Sequence, residues 1–299
     1  MIARGESAVN KKIYPIHFAW ITLALYTVFF VLPGLMGFYY SFTDWNSFST
    51  EINFIGFDNF KQLFSADENY LGFINNTLIF TFATVLLKTG LGLAFAIALN
   101  EGVRMKGFHR VMLFLPSIVP MLVVGLVFKS ILNPATGLLN ETLRSVGLGF
   151  LAQKWLVDLD WAFKSIIAVD TWKGVGYIMI ILLAGLQAIS KTYYEAASID
   201  GAGAWNKLRH ITIPLLLPAL TVTTVLNLLH GLKVFEAVYV LTNGGPGYAT
   251  DVLYTSIFKE FSMGRFGMGT ALSTLLFVFM TIVGYFVVRL MSREGDGER

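Results

Sequence analysis

Apolar residues run through the chain in six blocks, at about 14–40, 73–99, 109–132, 161–189, 213–241 and 266–291, with polar stretches between them. Each block holds about 20 or more mostly apolar residues, the length a helix needs to cross the roughly 30 Å hydrocarbon layer of a bilayer. The pattern predicts an all-α polytopic membrane protein with six transmembrane helices. The first block is longer than the apolar core of a signal peptide, and no small-residue cleavage site follows it, so it is expected to remain as a span. No long polar linker, low-complexity run or solenoid-length repeat divides the sequence. The expected organisation is one membrane domain over 14–291, between tails at 1–13 and 292–299.

Composition narrows the class further. Of 299 residues, 55% are hydrophobic and 14% charged, against about 25% charged in an ordinary soluble domain; a soluble globule has no interior large enough for that apolar surface. Aromatic content and low charge exclude disorder. A net charge of +3, scattered along the chain, argues against a nucleic-acid partner. Without cysteine there is no disulfide, thiolate metal site or cysteine nucleophile. Ten lysines and arginines lie in the two tails, the 2–3 connection and the 4–5 connection, and Arg110 and Arg289 at the adjoining span ends make twelve, whereas the other three connections hold five: Lys61, Arg144, Lys154, Lys259 and Arg265. Basic loops resist translocation, so both termini and the 4–5 connection are expected on the cytoplasmic side.

Within the spans, Gly90, Ala94 and Ala98 form a small-residue stripe at four-residue spacing, expected to let a neighbouring helix approach closely. Pro116 and Pro120 in the third block, and Pro214 and Pro218 at the start of the fifth, remove backbone donors and should bend those helices, either to open a cavity or only to shape packing. Charge in a bilayer faces protein or water, which makes it a pointer to a pathway. Asp170 and Lys173 are three apart on the fourth span, as a structural ion pair or as lining. Asn227, His230 and Glu236 lie at compatible depths on the fifth, while Trp172, Tyr177 and Phe235 offer flat apolar faces for a sugar or, equally, for packing. The fifth block would reach about 43 Å as one helix, so a tilt or a bend near Gly231 is expected. Enzyme chemistry finds no support: the four histidines are dispersed, no His-Glu-x-x-His or glycine-elbow serine occurs, and Asp158-Leu-Asp160 reads as a solvated loop.

The segment 190–214 is too long and too apolar for a tether. Thr192 with Glu195 has the form of a capping box, and Asp200-Gly201 allows a turn, which predicts a short helix, a turn and a second helix leading into the fifth span. Ala196, Ala197, Ile199 and Trp205 would give this segment an apolar surface, either for a docking partner or for lipid.

Glu195-Ala196-Ala197, three residues, Gly201, nine residues, Ile211, one residue, Ile213-Pro214 resembles the EAA loop of ABC importer membrane subunits, with isoleucine at 213 where leucine is usual. The resemblance spans nearly the whole chain. Trp172-Lys-Gly-Val-Gly176, the stretch ending at Ile189 and Leu241-Thr-Asn-Gly-Gly-Pro246-Gly are similar to the six-span carbohydrate permease branch. It implies a type I ABC importer permease in a bacterial or archaeal inner membrane, moving a sugar or oligosaccharide into the cytoplasm by alternating access. The implied partners are a second homologous permease subunit, two ABC ATPase subunits that hold ATP and Mg, an extracytoplasmic solute-binding protein, the sugar substrate and membrane lipid. Glu195, Ala196, Ala197, Gly201, Ile211 and Pro214 are the implied coupling residues. The chain itself is expected to hold no cofactor and no ATPase site, because no glycine is followed by lysine and the phosphate-gripping loop is absent. A polyol or glycerol phosphate ester stays open as an alternative solute. An ion-coupled secondary transporter would need a broken-helix repeat that is not visible.

Overall fold

The computed structural model describes residues 17–65 and 69–296. The tail at 1–13, the beginning of the first apolar block and the last three residues lie outside that range. Among the described residues the fold is helical, with one isolated bridge between Thr43 and Phe54.

Among the described residues five helices are long and apolar enough to span a membrane, and a bent pair, taken as one span, makes a sixth. The first, α1, runs through His17–Tyr26, a π-turn at Thr27–Val31 and Leu32–Tyr40. A short α2 (Asp58–Leu63) precedes α3 (Tyr70–Glu101); α4 (Lys106–Ile118) and α5 (Met121–Ile131) form the bent pair, followed by α6 (Leu138–Ser145). Then come α7 (Leu159–Ala188), α8 (Lys191–Ile199) and α9 (Ala204–Leu232), the last containing a π-turn at Leu208–Thr212. The chain closes with α10 (Glu236–Leu241), α11 (Leu253–Ser262) and α12 (Phe266–Asp296).

Two expected spans are corrected. The block at 109–132 is not one helix: its halves meet at 97°. Val119 takes the extended conformation that a following proline imposes, and Pro120 starts α5 with no N–H to continue the ladder. The block at 213–241 stops at Leu232 and resumes as α10, so the helix ends where a bend was expected. Pro214 does not break α9, which runs on through it from Ala204 to Leu232. The π-turn two residues before it absorbs the clash of the ring with the preceding turn, and Pro33 stands in the same relation to the π-turn of α1.

The small-residue stripe is corrected as well. Gly90, Ala94 and Ala98 are exposed, and the face of α3 that packs on α7 carries Lys88, Gly92, Ala96 and Leu99 instead. A Cβ at Gly92 would come within 3.0 Å of Ile178, while one at Gly90 would meet nothing. Side-chain size at every fourth position is legible in the sequence, but which of the available faces meets the neighbour depends on the helix's rotation in the bundle.

α7 is the central helix, packed on α3, α4 and α9. Near the 190–214 end its core joins Met179, Leu182 and Leu216, and towards the other end Ile166 packs with Phe80 and Val238. Polar contacts fasten the connections at that far end. Asn59 donates to the carbonyls of Ser41 and Thr43 at 3.0 and 2.8 Å, and the Tyr70 hydroxyl donates to the buried Glu260, which also pairs with Arg265 at 2.6 Å. The backbone N–H and side-chain amide of Asn53 donate to Asp44 and hold its carboxyl below the ordinary carboxylate range.

Candidate functional site

A cavity of about 780 Å³ opens between α3, the α4–α5 break, α7, α9 and the start of α10. Its floor is an ion cluster. Asp170 of α7 is buried, with the Lys88 ammonium of α3 at 2.6 Å from Oδ2 and the His230 Nε2 of α9 at 3.0 Å from Oδ1. Both groups are buried and carry opposite charge, so charge attraction dominates the Lys88 contact. Lys88 and Asp170 are almost wholly buried at the bottom of the cavity, whereas the His230 side chain is half-exposed and forms its edge.

This arrangement replaces the expected Asp170–Lys173 pair. Three-residue spacing puts the two on one side of a helix, but across the bundle Lys88 reaches the carboxylate first. Lys173 instead sits 3.4 Å from the carbonyl of Ser117, near the open C-terminal end of α4, and the Ser117 hydroxyl donates back to the Lys173 carbonyl at 2.8 Å. The break after Ile118 leaves carbonyls of that last turn without helical donors, and an ammonium suits them both as donor and as counter-charge to the helix end.

The glycines of Trp172-Lys-Gly-Val-Gly176 make this packing possible. A Cβ at Gly174 would sit 2.8 Å from the Lys88 side chain, and one at Gly176 would run into the backbone carbonyl of Leu113 on α4. The motif is therefore a seat for the Lys88 stem and for the backbone of the broken helix.

Seven of the eight expected pathway residues line the cavity: Asp170, Lys173, Tyr177, Asn227, His230, Phe235 and Glu236. Asn227 is buried and reaches Thr89 at a long 3.4 Å, which leaves its amide capacity for a ligand. Trp172 does not belong to the set. It turns away and stacks edge-on against Phe128 of α5 at 5.1 Å, because one residue of helix rotation separates it from the Lys173 face. Ser117 and Lys88 were missed as lining; the first lies on the half-helix that only the break exposes.

At the other end, α8 and the start of α9 form the expected helix–turn–helix. The cap is Ser190, whose hydroxyl accepts from the Thr192 N–H at 3.3 Å, so the expected Thr192–Glu195 box is not formed. Glu195 stands two positions beyond where a box on Ser190 would need it and is exposed, as is Ala196. The turn is a Schellman closure: the Ala202 N–H donates to the Ala197 carbonyl at 2.8 Å, the Gly201 N–H to that of Ser198 at 3.2 Å, and Gly201 has φ +75°. The Tyr194 hydroxyl meets Thr212 at 3.1 Å and Lys207 donates to Ser198 at 2.7 Å, which brace α8 against the foot of α9. Ile211 lies in the π-turn and Pro214 in the next turn. Ile199 and Trp205 are left 87% and 69% exposed, an apolar pair on a braced element. Asp158 is a helix cap, accepting from the Asp160 N–H, and among the described residues no three His, Asp or Glu side chains lie close enough to hold a metal ion.

The sequence model of the family described as "Binding-protein-dependent transport system inner membrane component" matches residues 89–294. The trehalose/maltose transport system permease protein MalF of Thermococcus litoralis is 38% identical over 259 residues, 86% of each chain. The multiple sugar-binding transport system permease protein MsmF of Streptococcus mutans is 31% identical, over 95% of this chain and 98% of its own. A crystal structure of a bacterial ABC transporter involved in the import of the acidic polysaccharide alginate contains a chain with TM-score 0.82 and 26% identity, covering 96% of this chain and 99% of that one.

Proposed function

This chain belongs to the family of binding-protein-dependent transport system inner membrane components, and on that footing we propose that a carbohydrate crosses the membrane through the polar cavity while residues 190–214 receive the stroke of a separate ATPase. It is a carbohydrate-type ABC importer permease, a translocation subunit of the inner membrane. The observation that carries the transport reading is a cavity at the centre of an apolar bundle, walled by aromatic rings and by amide, imidazole and ammonium groups. Such a wall matches a ligand with hydroxyls around its rim and C–H groups on its faces.

In this reading, the cavity is half of a pathway that a second homologous permease completes, and an extracytoplasmic solute-binding protein delivers the sugar. Two ABC ATPases holding ATP and Mg work against α8, with Glu195, Ala196, Ala197 and Gly201 at the contact and Ile211 and Pro214 transmitting into α9. The exposed Ile199 and Trp205 support the docking role, because a helix braced by Tyr194 and Lys207 presents its apolar pair away from its own bundle.

Two experiments test it. Replacing Asn227 by leucine should leave complex yield intact and lower sugar uptake about tenfold, the worth of one lost hydrogen bond of about 1.4 kcal/mol; wild-type uptake in the assembled variant would remove Asn227 from the pathway. Orientation is checked with Gly203→Cys in this cysteine-free chain. An impermeant maleimide should label it only in opened cells, and labelling of intact cells would reverse the topology.

A further inference from the structure

At the end of the cavity away from α8, two helices each carry an aromatic pair at four-residue spacing. Phe235, at the N-cap of α10, stacks on Tyr239 one turn later at 5.1 Å, and Tyr254 and Phe258 lie on one side of α11. The pairs meet: Phe235 is 5.2 Å from Phe258 and 6.0 Å from Tyr254, and Tyr239 is 5.5 Å from Phe258. Phe235 and Tyr254 line the cavity, while Tyr239, Tyr254 and Phe258 are each about two-fifths exposed. The cluster thus continues the cavity wall outward as an open ring surface.

Its polar surroundings are free. Among the described residues neither the Tyr239 nor the Tyr254 phenol has a protein hydrogen-bond partner, and Lys233 and Glu236 at the same rim have no ion-pair partner. The platform is also rigidly mounted. The Leu253 N–H donates to Thr77 of α3 at 2.8 Å, Asn76 donates to the carbonyls of Ala249 and Asp251, and Lys259 is held by the buried Asp251 at 2.6 Å. Half-exposed rings that do not need to be ordered on binding, beside unpaired donors and an unpaired carboxylate, suit a ligand with an apolar ring face and hydroxyls at its edge.

We propose that Phe235, Tyr239, Tyr254 and Phe258 form an entry platform that takes the C–H face of a sugar ring, with Lys233 and Glu236 receiving its hydroxyls, before the sugar moves to the Asn227 and His230 level. The proposal rests on the carbohydrate reading of the cavity and is tested so that the two can fail separately. The complete importer is reconstituted with its ATPase, partner permease and binding protein, and wild-type uptake is measured for glucose, trehalose, maltose and diacetylchitobiose. The sugar transported serves as the probe; transport of none overturns the carbohydrate reading and this proposal with it. Tyr254→Leu and Phe258→Leu should each lower uptake per assembled complex about five- to tenfold, as expected for one aromatic contact, and Tyr254→Phe should restore most of it. If the leucine variants transport as wild type while Asn227→Leu does not, the platform is overturned and the cavity reading stands. Loss of yield with unchanged uptake per assembled complex would make the rings an interfacial belt and also overturn it. Should a leucine variant fail to assemble, Tyr254→Cys supplies the readout: the probe sugar should slow its alkylation but not that of Tyr285→Cys, and equal rates with and without sugar count against the platform.

Discussion

Replacing Lys88 by methionine should cost the assembled complex about 3–5 kcal/mol, because it strands the buried Asp170 carboxylate with only His230 beside it. Methionine keeps most of the stem that lies against Gly174, so the loss reports charge more than volume. The double change Lys88→Met with Asp170→Asn removes both ends of the pair, and the amide still reaches His230; it should recover most of the stability. Lys173→Met is the control. Its ammonium only serves the Ser117 carbonyl, at 3.4 Å, and its removal should cost much less. Complex yield and thermal unfolding of the three variants, measured beside the wild type, decide the matter. An unchanged Tm for Lys88→Met, or a larger loss for Lys173→Met, would return Asp170 to the partner expected from sequence.

Gly201→Val should uncouple the importer. Nothing lies within 4 Å of a Cβ at this position, so the penalty is not a clash; it is the left-handed backbone, φ +75°, which a β-branched residue resists. Straightening the turn breaks the two closing hydrogen bonds to Ala197 and Ser198 and re-aims α8 relative to α9. At about 1–2 kcal/mol for the left-handed conformation, uptake is expected to fall on the order of tenfold or more, with ATP hydrolysis no longer following sugar. Gly201→Asn, which tolerates the same backbone region, should keep most of the transport. Uptake and ATPase rate are measured together in reconstituted vesicles. A valine variant that assembles and transports at the wild-type rate removes the turn from the coupling path.

Much of this was legible in the chain itself. Five of the six apolar blocks hold a helix long enough to span, and the block at 109–132 holds the bent pair, because a bilayer accepts only helices long enough to satisfy their own backbone, and that demand is written in length and composition. The turn at Gly201 was legible too, since few residues besides glycine take positive φ cheaply. So was the cavity in outline, because ionisable and amide side chains inside a span have few other places to go. The aromatic pairs Phe235/Tyr239 and Tyr254/Phe258 were present at helical spacing but carried no signal that two separate helices would bring them together.

What the tertiary structure decided is which group meets which. The helical period places Asp170 and Lys173 on one side of α7, yet Lys88, 82 positions away in sequence, is the group at 2.6 Å. The face of α3 chosen for contact holds Gly92 rather than Gly90, and Trp172 leaves the cavity that Lys173 and Tyr177 line. Pro120 breaks its helix by 97° while Pro214 is absorbed in a π-turn, although each removes one donor. The physical reason is common to all of these. Propensity and spacing act along one helix and fix its length, its caps and its possible faces, whereas rotation about the axis and the partner across the interface follow from packing the whole bundle at once, where each charge must be paired and each gap filled by residues distant in sequence.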